Sequence, residues 1–186
     1  MSKQKDNASE DASRIAGNVS LDLKEFIALQ FKDIMVNKTG IGFAQSVGTR
    51  FTLTEISWLK KPEEPERMEA RVVMEGIVDD DMANSWGNLH GGCTAYLADI
   101  CTTMALLTFD MLTDGYRGSV SQALNMMYHS PASIGDKLRI VNTTMTVGSR
   151  AMSARCEIWN ETHHRLVASA VHAKMVPSMP KQKAQL

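Results

Sequence analysis

The residues of this 186-residue chain that could carry chemistry are concentrated in one stretch, residues 84–109. It begins with polar residues and glycines, among them Asn84 and the tripeptide His90-Gly91-Gly92, a composition that predicts a turn. A mostly apolar, helix-compatible run follows, in which Asp99 is the one charged residue before Asp110. A helix that is apolar around most of its circumference is a buried one, and a carboxylate inside it is costly unless something pairs with it or uses it. The stretch therefore predicts a helix start framed by glycines and a buried functional acid two turns later.

Helix starts of this kind can polarise an oxygen atom of a ligand. Backbone N–H groups in the first turn have no intrahelical acceptor and lie at the positive end of the helix dipole. Gly91 and Gly92 would let a ligand approach these groups, because neither carries a Cβ atom.

The whole-chain composition excludes several classes of function. A formal net charge of -1 and a pI of about 6.5 give no electrostatic case for binding nucleic acid or an anionic membrane. No uncharged apolar run reaches the roughly 18 residues of a membrane span. The three cysteines form no CxxC pair and predict a reducing compartment, the cytoplasm or, as an alternative, the mitochondrion.

The elements that must position residues 84–109 follow from hydrophobic periodicity and turn residues. We expect a disordered leader over 1–19, an N-terminal helix and linker over 20–48, a main domain over 49–177 and a tail over 178–186. In the main domain we expect strands near 50–60, 67–78, 119–129, 136–147, 152–159 and 166–176. Strands joined by short turns pair antiparallel, so the predicted fold is α+β, one sheet curled around one buried helix. Strict alternation in the third strand places Ser121 and Leu124 on opposite faces.

These motifs resemble those of the hot-dog-fold acyl-CoA thioesterases. Residues 84–92 match the segment Asn-x-x-Gly-x-x-His-Gly-Gly of the branch that contains the phenylacetate-pathway and thioesterase-superfamily-member-2 enzymes. In that branch an acid follows seven residues after the second glycine, where this chain has Asp99. The pair Val120-Ser121 and the segment 128–135 resemble the next strand and turn of the family. The resemblance covers about residues 50–176.

The resemblance implies a role for most of the polar residues. Gly91 would be the oxyanion donor, Asp99 the general base or the nucleophile, and Asn84 a ligand of the carbonyl oxygen or of the attacking water. Other candidates are His90, which orients the turn or acts as a base, Ser121, which holds the water or the acid, and Gly92 and Arg150, which contact the substrate. Arg150 is either a ligand of the CoA phosphates or a solvated turn residue. No metal or redox cofactor is implied.

The spacing of Gly91 and Asp99 carries an inference of its own. Eight residues separate them on one predicted helix, which is about 12 Å along the axis. One carbonyl carbon cannot lie close to both, so a shared site needs two antiparallel helices and a two-fold homodimer. In the family such dimers often pair into homotetramers. The sequence thus predicts an acyl-CoA thioesterase, with a non-catalytic acyl-thioester-binding or assembly protein and an acyl-carrier-protein thioesterase as the alternatives.

Overall fold

The computed structural model describes residues 12–35 and 42–177. The predicted tail and the outer part of the predicted leader lie outside these residues. In chain order the elements are α1 (Leu21–Met35), α2 (Gln45–Gly48), β1 (Thr52–Lys60), β2 (Met68–Ile77), a 3₁₀ turn (Asp80–Met82), α3 (Gly91–Leu112), β3 (Val120–Tyr128), β4 (Lys137–Val147), β5 (Ala151–Asn160) and β6 (Arg165–Met175). The predicted N-terminal helix, the central helix and all six strands are confirmed, with boundaries that differ by one or two residues.

The six strands form one antiparallel sheet in the order β1-β2-β4-β5-β6-β3. Helix α3 packs against β2, β3, β4, β5 and β6, so the sheet wraps around it. Apolar side chains from the helix and from the inner face of the sheet make one core. This arrangement confirms the predicted α+β hot-dog fold.

Strand β3 does not pair with β4, its neighbour in sequence, but with β6 at the far side of the sheet. The expected antiparallel arrangement did not specify this strand order. The β3–β4 connection cannot form a hairpin turn because its backbone is bonded to the turn before α3. Leu89 N–H donates to Ala132 O at 2.7 Å, and Ile134 N–H donates to Gly87 O at 3.0 Å. As a result β3 is an edge strand that ends beside the start of α3.

A β-bulge near the start of β3 corrects the predicted faces of that strand. The register against β6 shifts between Ser121 and Ala123, so Gln122 is an extra residue. The bulge turns Ser121 toward α3, where its hydroxyl reaches Asp99, on the same side as Leu124, which packs against the core. Simple alternation failed because one inserted residue exchanges the two faces of a strand.

Helix α3 is the core helix of the fold. Among the described residues it is the one helix long and apolar enough to cross a membrane, but 56% of its most apolar window is buried inside the protein. Burial of this kind is usual for the central helix of a globular domain. We therefore assign α3 to the core and not to a membrane.

One stripe along α3 stays partly exposed. It comprises Gly92, Tyr96, Asp99, Ile100 and Thr103, at positions i, i+4, i+7, i+8 and i+11 and therefore on one side of the helix. The prediction that Asp99 is buried was thus wrong for the single chain, because its side chain is 36% exposed. The sheet and α1 both pack against the helix. Within the stripe, Tyr96 contacts Met35 of α1 and the ring of Phe43, so the open part lies around Asp99.

The inner part of the predicted disordered leader, residues 12–19, is ordered. Ala12 is fully buried and Ile15 is 5% exposed, both within the main core. The side chain of Asn18 forms two hydrogen bonds with the backbone of Trp58 on edge strand β1, at 2.7 and 2.8 Å. The leader prediction was wrong here because its polar composition hid a few residues that cover and pair the sheet edge.

The C-terminal end of α3 is held by a buried ion pair. Asp110 is 3% exposed, and the guanidinium group of Arg117 donates to its Oδ1 atom from Nε at 3.1 Å. The same guanidinium donates to Gly148 O at 3.0 Å, which ties the helix end to the β4–β5 turn. The hydrogen bond with Asp110 raises the pKa of Arg117 above its ordinary value.

Replacing Arg117 with methionine is expected to lower the free energy of unfolding by about 3 kcal/mol, because Asp110 would remain buried without its cation. Urea unfolding at fixed protein concentration measures the change. The matched control is Arg155→Met, since Arg155 is 57% exposed and lies 3.9 Å from Glu157. That variant is expected to stay within about 0.5 kcal/mol of the parent. Equal losses in the two variants would contradict the role of Arg117.

Candidate active site

The turn before α3 is built around Asn84. Its side-chain Oδ1 accepts hydrogen bonds from the N–H groups of Trp86 at 2.9 Å and Asn88 at 3.2 Å. Two N–H donors fix this oxygen in place, so the orientation of the amide is determined. No acceptor for the Asn84 Nδ2 group is found among the described residues, and Asn84 lines a cleft at the helix start. The residue therefore shapes the turn with its oxygen and leaves its N–H₂ group for a ligand.

His90 is the N-cap of α3. Its backbone is extended, and its Nδ1 atom accepts a hydrogen bond from Gly92 N–H at 2.9 Å. This contact fixes the tautomer with the proton on Nε2 when the ring is neutral. The structure places His90 in the turn-orienting position, and Nδ1 is already engaged.

The two glycines of the motif have different reasons to be glycine. A Cβ atom on Gly92 would lie 3.1 Å from His90 Nδ1, so the capping ring would have to shift by a few tenths of an ångström. A Cβ on Gly91 would meet only the ring of Tyr128 at 3.6 Å or more, an ordinary contact. The protein itself does not require glycine at position 91, which favours a role in ligand approach.

The N–H group of Gly91 is available to a ligand. Gly91 is the first residue of α3, and its N–H has no acceptor within the described part of the chain. Its carbonyl oxygen accepts a hydrogen bond from the Tyr128 hydroxyl at 3.0 Å, which ties the end of β3 to the helix start. The N–H thus combines a fixed position with the positive end of a 22-residue helix.

A cleft of about 330 Å³ opens over this helix start. It is lined by residues of the turn, including Asn84 and Gly91, and by the segment 128–132 at the end of β3. Asp99 is not among its lining residues. One chain therefore has the two N–H donors in one place and the acid in another.

Asp99 is held by the bulged strand β3. The Ser121 hydroxyl donates to Asp99 Oδ1 at 2.9 Å, so the predicted association of Ser121 with the acid is present in the structure. The contact depends on the bulge, because an unbulged strand would direct Ser121 away from the helix. One carboxylate oxygen is thereby fixed, and the carboxylate faces the partly exposed stripe of α3.

His172 on β6 is a site neighbour that the sequence analysis missed. Its ring is fully buried, with Nε2 3.2 Å from Asp99 Oδ1, but not in line for a hydrogen bond. Its Nδ1 atom lies 2.6 Å from Thr102 Oγ1, and this Oγ1 lies 2.6 Å from Ala98 O. The tautomer of His172 decides whether Nδ1 or Oγ1 donates in the first of these contacts. Burial lowers the pKa of His172, Asp99 raises it and Lys174 lowers it further, so the ring is neutral at neutral pH.

Lys174, two residues later on β6, was missed as well. It is only 6% exposed, and its ammonium group lies 3.0 Å from Thr103 Oγ1 and 3.4 Å from Ser121 Oγ. Burial lowers the pKa of Lys174, while Asp99 raises it. A sequence signal existed for both residues, because alternation along β6 puts His172 and Lys174 on the buried face with Ala168 and Ala170.

Two further candidates lie apart from both halves of the site. Arg150 is exposed in the turn between β4 and β5 and does not line the cleft, so its contact with CoA phosphates stays a prediction. Cys93 follows the glycines, but burial and the nearby Asp81 raise the pKa of its thiol to about 11. A thiol in that state is a poor nucleophile near neutral pH.

A larger cleft of about 660 Å³ lies beside β2 and the β3–β4 connection. Its basic side chains are already paired with carboxylates, Arg50 with Asp79 at 2.9 Å and Lys137 with Glu75 at 2.7 Å. The cleft combines these pairs with exposed apolar residues such as Ile77 and Ile134. It holds none of the predicted site residues, and we assign no chemistry to it.

Comparison with known sequences places the chain in a family. The family model of the thioesterase superfamily matches residues 87–167, which include the helix start, Asp99 and Ser121. Mouse acyl-coenzyme A thioesterase 13 is 35% identical over 104 residues, which span 56% of this chain and 71% of the mouse protein. The human protein of the same name is 33% identical over the same length.

Solved structures show the same fold. Zebrafish thioesterase superfamily member 2 superposes with a TM-score of 0.64 at 23% identity, over 86% of this chain and 100% of the zebrafish chain. Mouse thioesterase superfamily member 2 superposes with a TM-score of 0.61 at 26% identity, over 81% of this chain and 98% of the mouse chain. The PaaI protein of the phenylacetic acid degradation operon of E. coli gives 0.52 at 21% identity, over 58% of this chain and 73% of that chain. With a 35% identical relative matched over most of its length, this chain belongs to the hot-dog-fold thioesterase superfamily, in the branch that its motifs predicted.

Proposed function

We propose that this protein is an acyl-CoA thioesterase whose active sites each combine the α3 start of one chain with Asp99 of its partner. The observation that carries the proposal is the free Gly91 N–H, which lies beside the Asn84 amide in a cleft at the helix start. The names of the mouse and human relatives support acyl-CoA as the substrate. The products would be a free carboxylic acid and CoA.

The cleft half of the site would bind and polarise the thioester. Gly91 N–H donates to the carbonyl oxygen and gains strength as negative charge develops there in the tetrahedral intermediate. The Nδ2 group of Asn84 supplies a second donor from the same cleft. The turn before α3 holds Asn84, and the first turn of the helix holds Gly91. Because both donors are fixed in position, little reorganisation is needed during the reaction.

The acid half would activate water. Ser121 donates to Asp99 Oδ1, which leaves the other carboxylate oxygen to accept a proton from water as general base. The water oxygen bonds to the carbonyl carbon, and the intermediate then breaks its carbon–sulfur bond. CoA leaves as a thiolate and takes up the proton that Asp99 received.

Several features support the dimer that this mechanism needs. Gly91 and Asp99 lie eight residues apart on one continuous helix, so about 12 Å separates them along its axis. The stripe that contains Asp99, with Tyr96 and Ile100, is left open by the chain's own sheet. β3 is an edge strand with exposed Val120 and Met127, and an unpaired apolar edge favours pairing with a second copy. We extend the proposal to a dimer of dimers, as the family resemblance implies.

Asp99→Asn is expected to lower kcat/KM for acyl-CoA hydrolysis by about a hundredfold or more, because an amide cannot accept the proton of water. Hydrolysis is measured across a series of acyl chain lengths with a thiol reagent. The control is Asp114→Asn, since Asp114 is exposed at the far end of α3.

Two results would contradict the proposal. An unchanged rate in Asp99→Asn would remove Asp99 from the site. If the wild type bound acyl-CoA but hydrolysed no chain length, it would be a binding protein and not an enzyme.

Gly91→Pro is expected to reduce kcat by about a hundredfold, because it deletes the N–H donor to the oxyanion. The helix should tolerate the change, since proline is favoured at the first helical position. The preceding His90 also has φ -67° and ψ 135°, a conformation allowed before proline. The control Gly91→Ala keeps the N–H, so a comparable loss of kcat in both variants would refute the donor role.

A further inference from the structure

A lysine buried beside the active-site carboxylate has no role in the mechanism above. Lys174 is 6% exposed, and a buried ammonium group is costly unless it is paired. Its nearest oxygen partners are hydroxyl groups, Thr103 Oγ1 at 3.0 Å and Ser121 Oγ at 3.4 Å. The buried cation therefore acts on its surroundings through two hydroxyls.

Both hydroxyl groups donate hydrogen bonds to Asp99. Ser121 donates its single proton to Asp99 Oδ1 at 2.9 Å, so it can only accept from Lys174. Thr103 donates to the backbone oxygen of Asp99 at 2.8 Å and likewise accepts from Lys174. The direction of both chains is fixed, because an ammonium group has donors and no acceptor.

The neighbouring histidine does not supply this positive charge. His172 Nε2 lies 3.2 Å from Asp99 Oδ1 without a hydrogen bond to it. Protonation of the neutral ring is opposed by burial and by Lys174 itself. Lys174 is therefore the cation that compensates Asp99 from within the chain.

We propose that Lys174 is a positioning residue for thioester hydrolysis, which fixes the Ser121 hydroxyl as a donor to Asp99 and balances the carboxylate charge when a partner chain covers the stripe on α3. The inference rests on the proposed function of this site. It explains why a lysine occupies the buried face of β6.

The protonation state of Lys174 gives the inference a specific signature. Burial lowers its pKa below that of ordinary lysine, while Asp99 raises it, so the cation is lost at a lower pH than in an exposed lysine. The titratable groups around it are Asp99 on α3 and His172 on β6. The neighbouring strands place Ser121 and Met152 opposite Lys174, and neither of these adds a titratable group.

The test compares pH profiles of kcat/KM for one good acyl-CoA substrate, followed by loss of thioester absorbance with the uncatalysed rate subtracted. The wild type should lose activity on the alkaline side below pH 10.5, the ordinary lysine value. Lys174→Arg should keep its activity through that range, because arginine stays protonated. The control Lys137→Arg changes a 49% exposed lysine that pairs with Glu75 and Glu161, and should retain the wild-type profile.

A second variant protects the test against an arginine that does not fit. Lys174→Met should lower kcat by about tenfold with a smaller effect on KM, as expected for loss of a hydrogen bond to a charged network. In a Ser121→Ala background the same change should cost much less, because the connecting hydroxyl is gone. Thermal unfolding of each variant establishes that it is folded.

The outcomes separate this inference from the proposed function. If the wild type is active and a folded Lys174→Arg variant still loses activity at alkaline pH, the role of Lys174 is overturned but the proposed function is not. Full activity in Lys174→Met would do the same. A wild type without acyl-CoA hydrolysis would overturn the proposed function and this inference with it.

Discussion

The rise of an α-helix governs how this protein can use its functional residues. Each residue adds about 1.5 Å along the axis, so the donors at the start of α3 and the acid two turns later lie about 12 Å apart. α3 is continuous from Gly91 to Leu112 and is packed on most sides by the sheet. It cannot bend to bring the two groups together, and the β3–β4 connection anchors its first turn. If both groups act on one carbonyl carbon, as in the proposed function, a second helix from another chain is needed.

The same constraint accounts for the polar groups beneath Asp99. In the proposed dimer the second chain covers the helix face that carries this carboxylate, and loss of solvent disfavours the ionised form of a carboxyl group. The chain supplies a Ser121 hydroxyl and a buried Lys174 from strands that meet only because β3 pairs with β6. Strand order, bulge and the buried lysine thus act together on the surroundings of Asp99.

Much of the fold and half of the site could be predicted from sequence. The central helix, its glycine-framed start and the turns between strands are marked by local sequence patterns. Such patterns can be recognised without knowing which strands pair in the sheet. The position of β3 beside β6 could not be predicted, because it depends on hydrogen bonds between the segment around Ala132 and the turn before α3. The role of Lys174 was hidden for the same reason. Its alternation with Ala168 and Ala170 marks a buried face, but only the sheet order shows that Asp99 lies against it.

The predictions for the faces of β3 and for the leader failed for different reasons. One extra residue, Gln122, reverses the faces of β3 before and after it, and no propensity marks such an insertion. The residues around Asn18 are polar and resemble a disordered leader, yet they pair with the exposed backbone of β1. Composition measures how many apolar groups a segment has and not whether a sheet edge is available to it.

The shared site is tested most directly by mixing two inactive variants. Homodimers of the Asp99→Asn chain and of the Gly91→Pro chain are each expected to keep only about a hundredth of the wild-type activity. In a mixed dimer one of the two sites combines intact Asp99 from one chain with intact Gly91 from the other. After equal mixing and subunit exchange, half of the dimers are mixed, so activity should recover to about a quarter of the wild-type value. Failure to recover activity, with mixed dimers shown by mass spectrometry, would contradict a site built from two chains.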